Sequence, residues 1–286
     1  PSETFLAEQM AVVDPDALHA SRNALRRAIA GHFRRELLDL YRSLEPKGPY
    51  SPDAASIGRR ALRNLALGYL MELETPDIVA LCYEQFGQQD ASASNMTDQS
   101  AALACLANSN AEQRTIALRS FHDKWRHESL VIDKWLSVQA TCRRPDTLER
   151  VRELLSHPAF DLKVPNKVYS LIRAFSSNHV RFHGADGGGY AFLAEQILAL
   201  DRLAEAGEHA RRRRGDVDVP VRGREHAGRD AGRVVVAGLL RHLALDQPAR
   251  RLEIEHEDLR LDQRGMDPLS LAGALARVQR QHDRLG

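Results

Sequence analysis

Three times near its start the chain sets a capping residue, a proline and an aspartate in succession: Asp14-Pro15-Asp16, Ser51-Pro52-Asp53 and Thr75-Pro76-Asp77. A short polar side chain can accept a hydrogen bond from the free N–H groups that open a helix. Proline fits the first turn because its missing N–H has no partner to lose there. An acid beside it meets the positive end of the helix dipole. Apolar residues then recur at helical spacing after each start. Leu18, Leu25, Ile29, Phe33, Leu37, Leu40 and Leu44 follow the first, and Ile57, Leu62, Leu65 and Tyr69 the second. Ile78, Leu81, Cys82 and Phe86 follow the third. A chain punctuated this way folds as a succession of helices.

The same pattern predicts further helices at about 97–106, 112–125, 130–141, 147–156, 167–176 and 189–203. Strand-like alternation is absent. Short connections make successive helices pack antiparallel, and pairs of this length stack as an irregular HEAT- or armadillo-like solenoid. The fold class is therefore all-α, followed by an irregular C-terminal tail. Hydrophobic residues make up 43% of the 286, enough to bury a core. No apolar run reaches the length of about 18 residues that a membrane span needs, and the N-terminus does not read as a signal peptide. It also lacks a starting Met, as expected of a piece of something longer or of a processed chain. Cys82, Cys105 and Cys142 are odd in number and set in apolar helical contexts, which fits reduced thiols and a cytoplasmic location. A net charge of +1 gives no global field toward nucleic acid or anionic lipid.

Composition divides the chain near Leu203. All 16 aromatic residues precede it, the last being Phe192. Beyond it there is no Lys, Asn, Cys or Thr, while Arg occurs 16 times and Gly 9 times. Aromatic side chains supply much of the buried area of a packed domain, so their loss over such a length is abnormal. Two readings stand: an Arg- and Gly-rich tail of low order, with a helix near Leu269–Gln281, or a change of coding frame. The expected domains are a helical-repeat domain over 1–202 and an unassigned segment over 203–286. The DNA sequence through the junction separates the two readings.

Several segments in the helical part carry a resemblance. They are Asn95-Met96-Thr97-Asp98 with Ala101-Ala102-Leu103, Phe121-His122-Asp123-Lys124-Trp125, and Leu130-Val131-Ile132-Asp133-Lys134-Trp135. Gln139-Ala140, Leu148-Glu149-Arg150-Val151 and Leu154-Leu155-Ser156-His157 follow, then Pro165-Asn166-Lys167-Val168-Tyr169-Ser170-Leu171-Ile172 with Ala174-Phe175. Phe182-His183, Asp186-Gly187, Gly189-Tyr190 and Phe192-Leu193 complete the set. In order and spacing over about 1–202 they resemble the C-terminal helical region of bacterial aminopeptidase N, a family of zinc metallopeptidases. The likeness ends where composition breaks. It implies a parent that releases N-terminal residues from peptides, with zinc held in a catalytic domain that precedes this region. It also implies that the helical domain covers the active-site cavity and restricts substrate access. The partners are then the parent's catalytic and N-terminal domains, with peptide substrates met indirectly. A long mixed apolar and polar interface should be exposed when the chain stands alone.

The residues themselves supply no hydrolytic machinery. Zinc hydrolysis of this kind needs H-E-x-x-H, which puts two imidazoles on one helix face with a general base between them. His127-Glu128 and His256-Glu257 have no second His at that offset, and the family's Gly-Ala-Met-Glu-Asn motif is missing. The chain is expected to be inactive and without cofactor by itself. His179, His183 and Asp186 sit beside Ser- and Gly-rich turns, where histidines cap and hydrogen-bond backbone. Gly187-Gly188-Gly189 reads as a helix-entry loop. The two Asp-Lys-Trp triplets, at 123–125 and 133–135, pack an aromatic on each helix. In the functional alternative Trp125, Trp135 and Tyr169 line the wall of a peptide chamber. Arg211–Arg214 is the conspicuous basic cluster, yet its segment carries 14 acids and no aromatic, which disfavours nucleic acid. A stand-alone helical-repeat scaffold binding a protein or peptide on a concave face is the alternative to the peptidase reading.

Overall fold

The structure is a computed structural model that describes residues 2–46, 48–87 and 95–213. It is all-α among those residues. The helices are α1 Glu3–Glu8, α2 Pro15–His32, α3 Arg34–Ser43, α4 Ala54–Leu70, α5 Pro76–Gly87, α6 Met96–Asn108, α7 Gln113–Trp125 and α8 Ser129–Ala140. After them come α9 Thr147–Leu155, α10 Pro165–Val168, α11 Ala174–Ser176, α12 His179–Phe182 and α13 Gly188–Arg213. A 3₁₀ turn over Met71–Leu73 follows α4, and a π turn over Tyr169–Arg173 joins α10 to α11.

The proline starts work in two ways. Pro15 and Pro76 open α2 and α5 directly. At the middle start the cap is Asp53 and not Ser51: its side chain accepts from the Ser56 N–H and the helix begins at Ala54. Ser51 instead donates its hydroxyl to the Asp53 carboxylate at 2.6 Å. The long stripe from Leu18 to Leu44 belongs to two helices, because the backbone turns at Phe33 (φ −103°, ψ 25°). The last helix runs unbroken past Leu203, ten residues beyond the predicted end. The region expected to hold a helix at Leu269–Gln281 lies outside the described residues.

The chain divides into two compact units. Residues 16–144 form one, with α3 on α4, α5 on α6, α6 on α7 and α7 on α8. The pairs α4–α6, α5–α7 and α6–α8 also touch. Contact with both the next helix and the one after it is the packing of stacked helical repeats. Leu67, Leu70, Ile78, Leu103, Leu106, Phe121 and Leu136 are fully buried in this unit. Of the described residues, 2–15 and 145–213 belong to the other, whose core is an aromatic cluster. Phe175 meets Phe182 and Phe192 edge-on, with centroids 6.0 and 5.4 Å apart, and all three rings are fully buried. Each buried phenyl contributes about 1.5–3 kcal/mol. Gly189 makes the closure of this unit possible, since a Cβ there would lie 2.2 Å from the Phe182 carbonyl oxygen. Gly187 supplies the left-handed turn before it (φ 68°).

Candidate functional site

Helix α4 is turned inside out. Successive residues advance by about 100° around a helix, which places Ile57, Gly58, Ala61, Leu62 and Leu65 on one face. That face points to solvent, with Ile57 51%, Leu62 42% and Leu65 54% exposed. Leaving about half of each such side chain in water forfeits about 1 kcal/mol apiece relative to burying it fully. Gly58 and Gly68 add open space to the helix, for a Cβ on either would meet nothing within 4 Å. The inward face carries Arg60 and Arg63 beside Ala66, Leu67 and Leu70. Sequence periodicity found the apolar stripe, but the packing puts it on the outside.

A polar network makes the inversion tolerable. The Arg63 guanidinium lies over the Tyr41 ring at 4.3 Å and donates through Nη2 to the Tyr41 hydroxyl at 3.0 Å. The Asp98 carboxylate is 3.9 Å from its Nη1, an ion pair without a hydrogen bond, and Arg63 Nε and Nη1 make none. Tyr41 donates to Gln85 Oε1 at 2.9 Å, and Gln85 Nε2 donates to Asn64 Oδ1 and the Asp98 carbonyl. Asn64 and Asn95 both donate to the Asp98 side chain, while Asn95 Oδ1 accepts from the Asp98 N–H. The Asn95-Met96-Thr97-Asp98 segment thus caps α6 and anchors the network. Burial pushes the Tyr41 hydroxyl up to about 12, against the pull of Arg63.

A second cluster surrounds Glu72, which is 8% exposed. Its Oε1 accepts from Arg26 Nε at 2.8 Å and from both terminal nitrogens of Arg143 at 3.3 Å. Arg27 donates to the Glu72 carbonyl, and Arg26 lies over the Tyr69 ring at 4.7 Å. Arg143 Nη1 also donates to Asn23 Oδ1 at 2.9 Å, and its backbone N–H donates to Asn108. The carboxylate ties α2 and the segment after α8 to the turn that ends α4. Local sequence pattern gave no sign of it, because Arg26, Glu72 and Arg143 are far apart along the chain.

The aromatic residues named from sequence fall in different settings. Trp125 is half-buried at the end of α7; its indole N–H donates to Gln99 Oε1 at 3.3 Å and Lys124 Nζ lies 5.1 Å from its ring. Trp135 is buried in α8 and donates to the Leu118 carbonyl at 2.9 Å. Tyr169 is half-buried on the π turn, a widened backbone often met at functional sites, with the Arg173 guanidinium 5.7 Å from its ring. Asp123 lies 3.3 Å from His122 Nδ1. His183 hydrogen-bonds the Tyr190 hydroxyl at 2.5 Å, and its ring is 5.8 Å from that of His179. Among the described residues no three His, Cys, Asp or Glu side chains gather closely enough to hold a metal ion. No described helix is long and apolar enough to cross a membrane. His256-Glu257 and Arg214 lie outside the described residues.

Comparison with known proteins places this arrangement. Residues 1–206 match the family model described as Domain of unknown function (DUF3458_C) ARM repeats. The chain is 42% identical over 202 residues to an aminopeptidase N of Caulobacter vibrioides, covering 70% of this chain and 23% of that protein. It is 38% identical over 202 residues to aminopeptidase N of Escherichia coli, with the same coverage. Among solved structures it is similar to Legionella pneumophila aminopeptidase A in complex with aspartic acid. That match has a TM-score of 0.64 and 30% identity, and covers 71% of this chain and 24% of that one. The chain thus spans less than a quarter of the length of these relatives.

Proposed function

The chain belongs to the ARM-repeat family described as Domain of unknown function (DUF3458_C), and from that premise we propose that it is the noncatalytic C-terminal part of a zinc aminopeptidase. In this reading the whole enzyme releases N-terminal residues from peptides in the cytoplasm. The helical domain packs on the catalytic part, covers its active-site cavity and limits which substrates enter. In this reading zinc sits in the catalytic part; among the described residues of this chain no group of His, Cys, Asp or Glu gathers to hold a metal ion. The observation that carries the proposal is the outward apolar face of α4. Ile57, Leu62 and Leu65 stand in solvent at a cost that a covering surface removes. Trp125 and Tyr169, both half-buried and each in its own unit, are the aromatic surfaces we assign to peptide contact, and Trp135 packs in the core of the unit that holds Trp125.

A chimera tests this. Residues 1–202 of this chain replace the matching segment of the Caulobacter vibrioides aminopeptidase N. The chimera is expected to cleave an alanyl anilide and short peptides while excluding long ones. Leu65→Glu in the chimera is expected to loosen the domain and relax that size limit. The same substitution in the isolated chain should shift stability by no more than about 0.5 kcal/mol, as for a surface position. A charged α4 face that leaves size selection intact would refute the docking role. Zinc-dependent turnover by the isolated chain would refute its noncatalytic assignment.

A further inference from the structure

Three helices bring polar side chains to one buried point. Arg63 comes from α4, Asp98 from the first turn of α6 and Tyr41 from α3. The side chains of Arg63 and Asp98 are 4% and 3% exposed. A guanidinium has five N–H donors and no acceptor. Arg63 uses one of them, through Nη2, on the Tyr41 hydroxyl at 3.0 Å. Its Nε and Nη1 are buried and have no hydrogen-bond acceptor among the described residues. Its stack on the Tyr41 ring, 4.3 Å from Cζ to the centroid, keeps the group from swinging toward solvent.

Asp98 has capacity left on the facing side. A carboxylate offers about four acceptor sites. Oδ1 accepts from Asn64 Nδ2 at 2.8 Å and Oδ2 from Asn95 Nδ2 at 2.9 Å. Oδ2 also faces Arg63 Nη1 at 3.9 Å. That separation is too long for a direct hydrogen bond, and it lets one water oxygen lie about 2.8 Å from both atoms. An occupant here must accept from Nη1 and donate to Oδ2. Chloride accepts but cannot donate, and it would meet the Asp98 carboxylate. A metal cation or an ammonium group cannot accept, and it would meet the guanidinium. Water does both, and buried polar groups left unpaired by the protein are where internal water is held.

We infer that Arg63 Nη1 and the Asp98 carboxylate bind one internal water, which accepts from Nη1 and donates to Oδ2. The Nε–H lies along the edge of the guanidinium that carries Nη2, so this water does not serve it. The bridge joins α4 to α6 at a residue of the inward face of α4. It thereby helps to hold Ile57, Leu62 and Leu65 on the outer side, whatever surface covers them.

The test is a high-resolution crystal structure of the full chain, from crystals grown with and without sodium bromide. The expected density is a water oxygen within hydrogen-bonding distance of both Nη1 and Oδ2, unchanged by bromide. Anomalous scattering from bromide at this point would overturn the inference in favour of an anion. A direct Nη1–Oδ2 hydrogen bond with no oxygen between the two would overturn it as well. In solution, oxygen-17 relaxation dispersion counts the waters that stay inside a protein for longer than its tumbling time. Arg63→Met removes the donors and keeps an unbranched side chain, so it should lower that count by one. An unchanged count in the folded variant would also sink the inference. The crystallographic measurement stands even where the variant fails to fold.

Discussion

Removing the Glu72 carboxylate should unfasten the unit formed by residues 16–144. The side chain is 6% exposed and accepts from Arg26 at 2.8 Å and Arg143 at 3.3 Å. Taking one partner out of a fully buried ion pair costs about 3–5 kcal/mol, because an uncompensated charge remains. Here the arginines left behind are better placed than that. Arg26 is 22% and Arg143 38% exposed, so water reaches both and the figure must be discounted. Arg26 keeps its stack on Tyr69 and a donation to the Gly68 carbonyl, and Arg143 keeps Asn23. Glu72→Ala should therefore destabilise the unit by about 2–3 kcal/mol. Glu72→Gln retains an acceptor of the same shape and loses only charge assistance, so its cost should be about 1–1.5 kcal/mol. The assay is urea unfolding followed by tryptophan fluorescence. Both tryptophans, Trp125 and Trp135, lie within this unit, so the signal reports it directly. The denaturation midpoint should fall with an unchanged slope. A loss below about 0.5 kcal/mol for Glu72→Ala, the size of an ordinary surface substitution, would refute the clamp. So would a glutamine variant as damaged as the alanine one.

Two further outcomes follow from the geometry. Gly189→Ala drives a methyl group to 2.2 Å from the Phe182 carbonyl oxygen and 2.8 Å from its carbonyl carbon and Cα, where backbone must move. It should destabilise its unit by about 3 kcal/mol or more, read as a lowered thermal midpoint in far-ultraviolet circular dichroism, and an unchanged midpoint would contradict the packing. Tyr41, with its hydroxyl pushed up to about 12, should stay neutral in the folded protein to a higher pH than in the unfolded chain. The raised value means that the folded state holds this proton more tightly than the unfolded chain. Tyr41 therefore costs nothing below pH about 10, and stability falls as pH rises from about 10 to 12. Absorbance titration at the phenolate band in Tyr41→Phe should lack that late step, and loss of an early step instead would contradict the burial.

Much of the architecture was legible in the sequence because helix boundaries are local. Capping oxygens, prolines and acids act within one turn, which is why α5 starts at Pro76 and α6 follows its Asn95 cap, while α7, α8 and α9 begin and end within two residues of the limits their apolar periodicity gave. The aromatic segments Ala174-Phe175, Phe182-His183 and Phe192-Leu193 resembled a known family, and they prove to be the packed core of their unit. The polar clusters were not legible. Glu72 with Arg26 and Arg143, and Arg63 with Tyr41 and Asp98, join residues that only the stacking of helices brings together.

The inverted helix shows why the candidate interface was half visible. Periodicity correctly placed Ile57, Leu62 and Leu65 on one face of α4, but a periodic stripe says only that some surface must cover it. It does not say that the surface belongs to the same unit. Arg60 and Arg63 carried the missing signal, since they occupy the opposite face and can be buried only with partners. Tyr41 and Asp98 are those partners for Arg63. With Arg60 and Arg63 held on the inward side, Ile57, Leu62 and Leu65 on the opposite side face outward. A helix so built holds its place by Ala66, Leu67 and Leu70 together with the arginine contacts, and leaves the apolar surface of Ile57, Leu62 and Leu65 uncovered. That uncovered surface is what the proposed docking would bury. Reversing the pattern therefore separates the two roles of α4. Arg63→Met should disturb the isolated unit, whereas Leu65→Glu should spare it and act only where a partner is present.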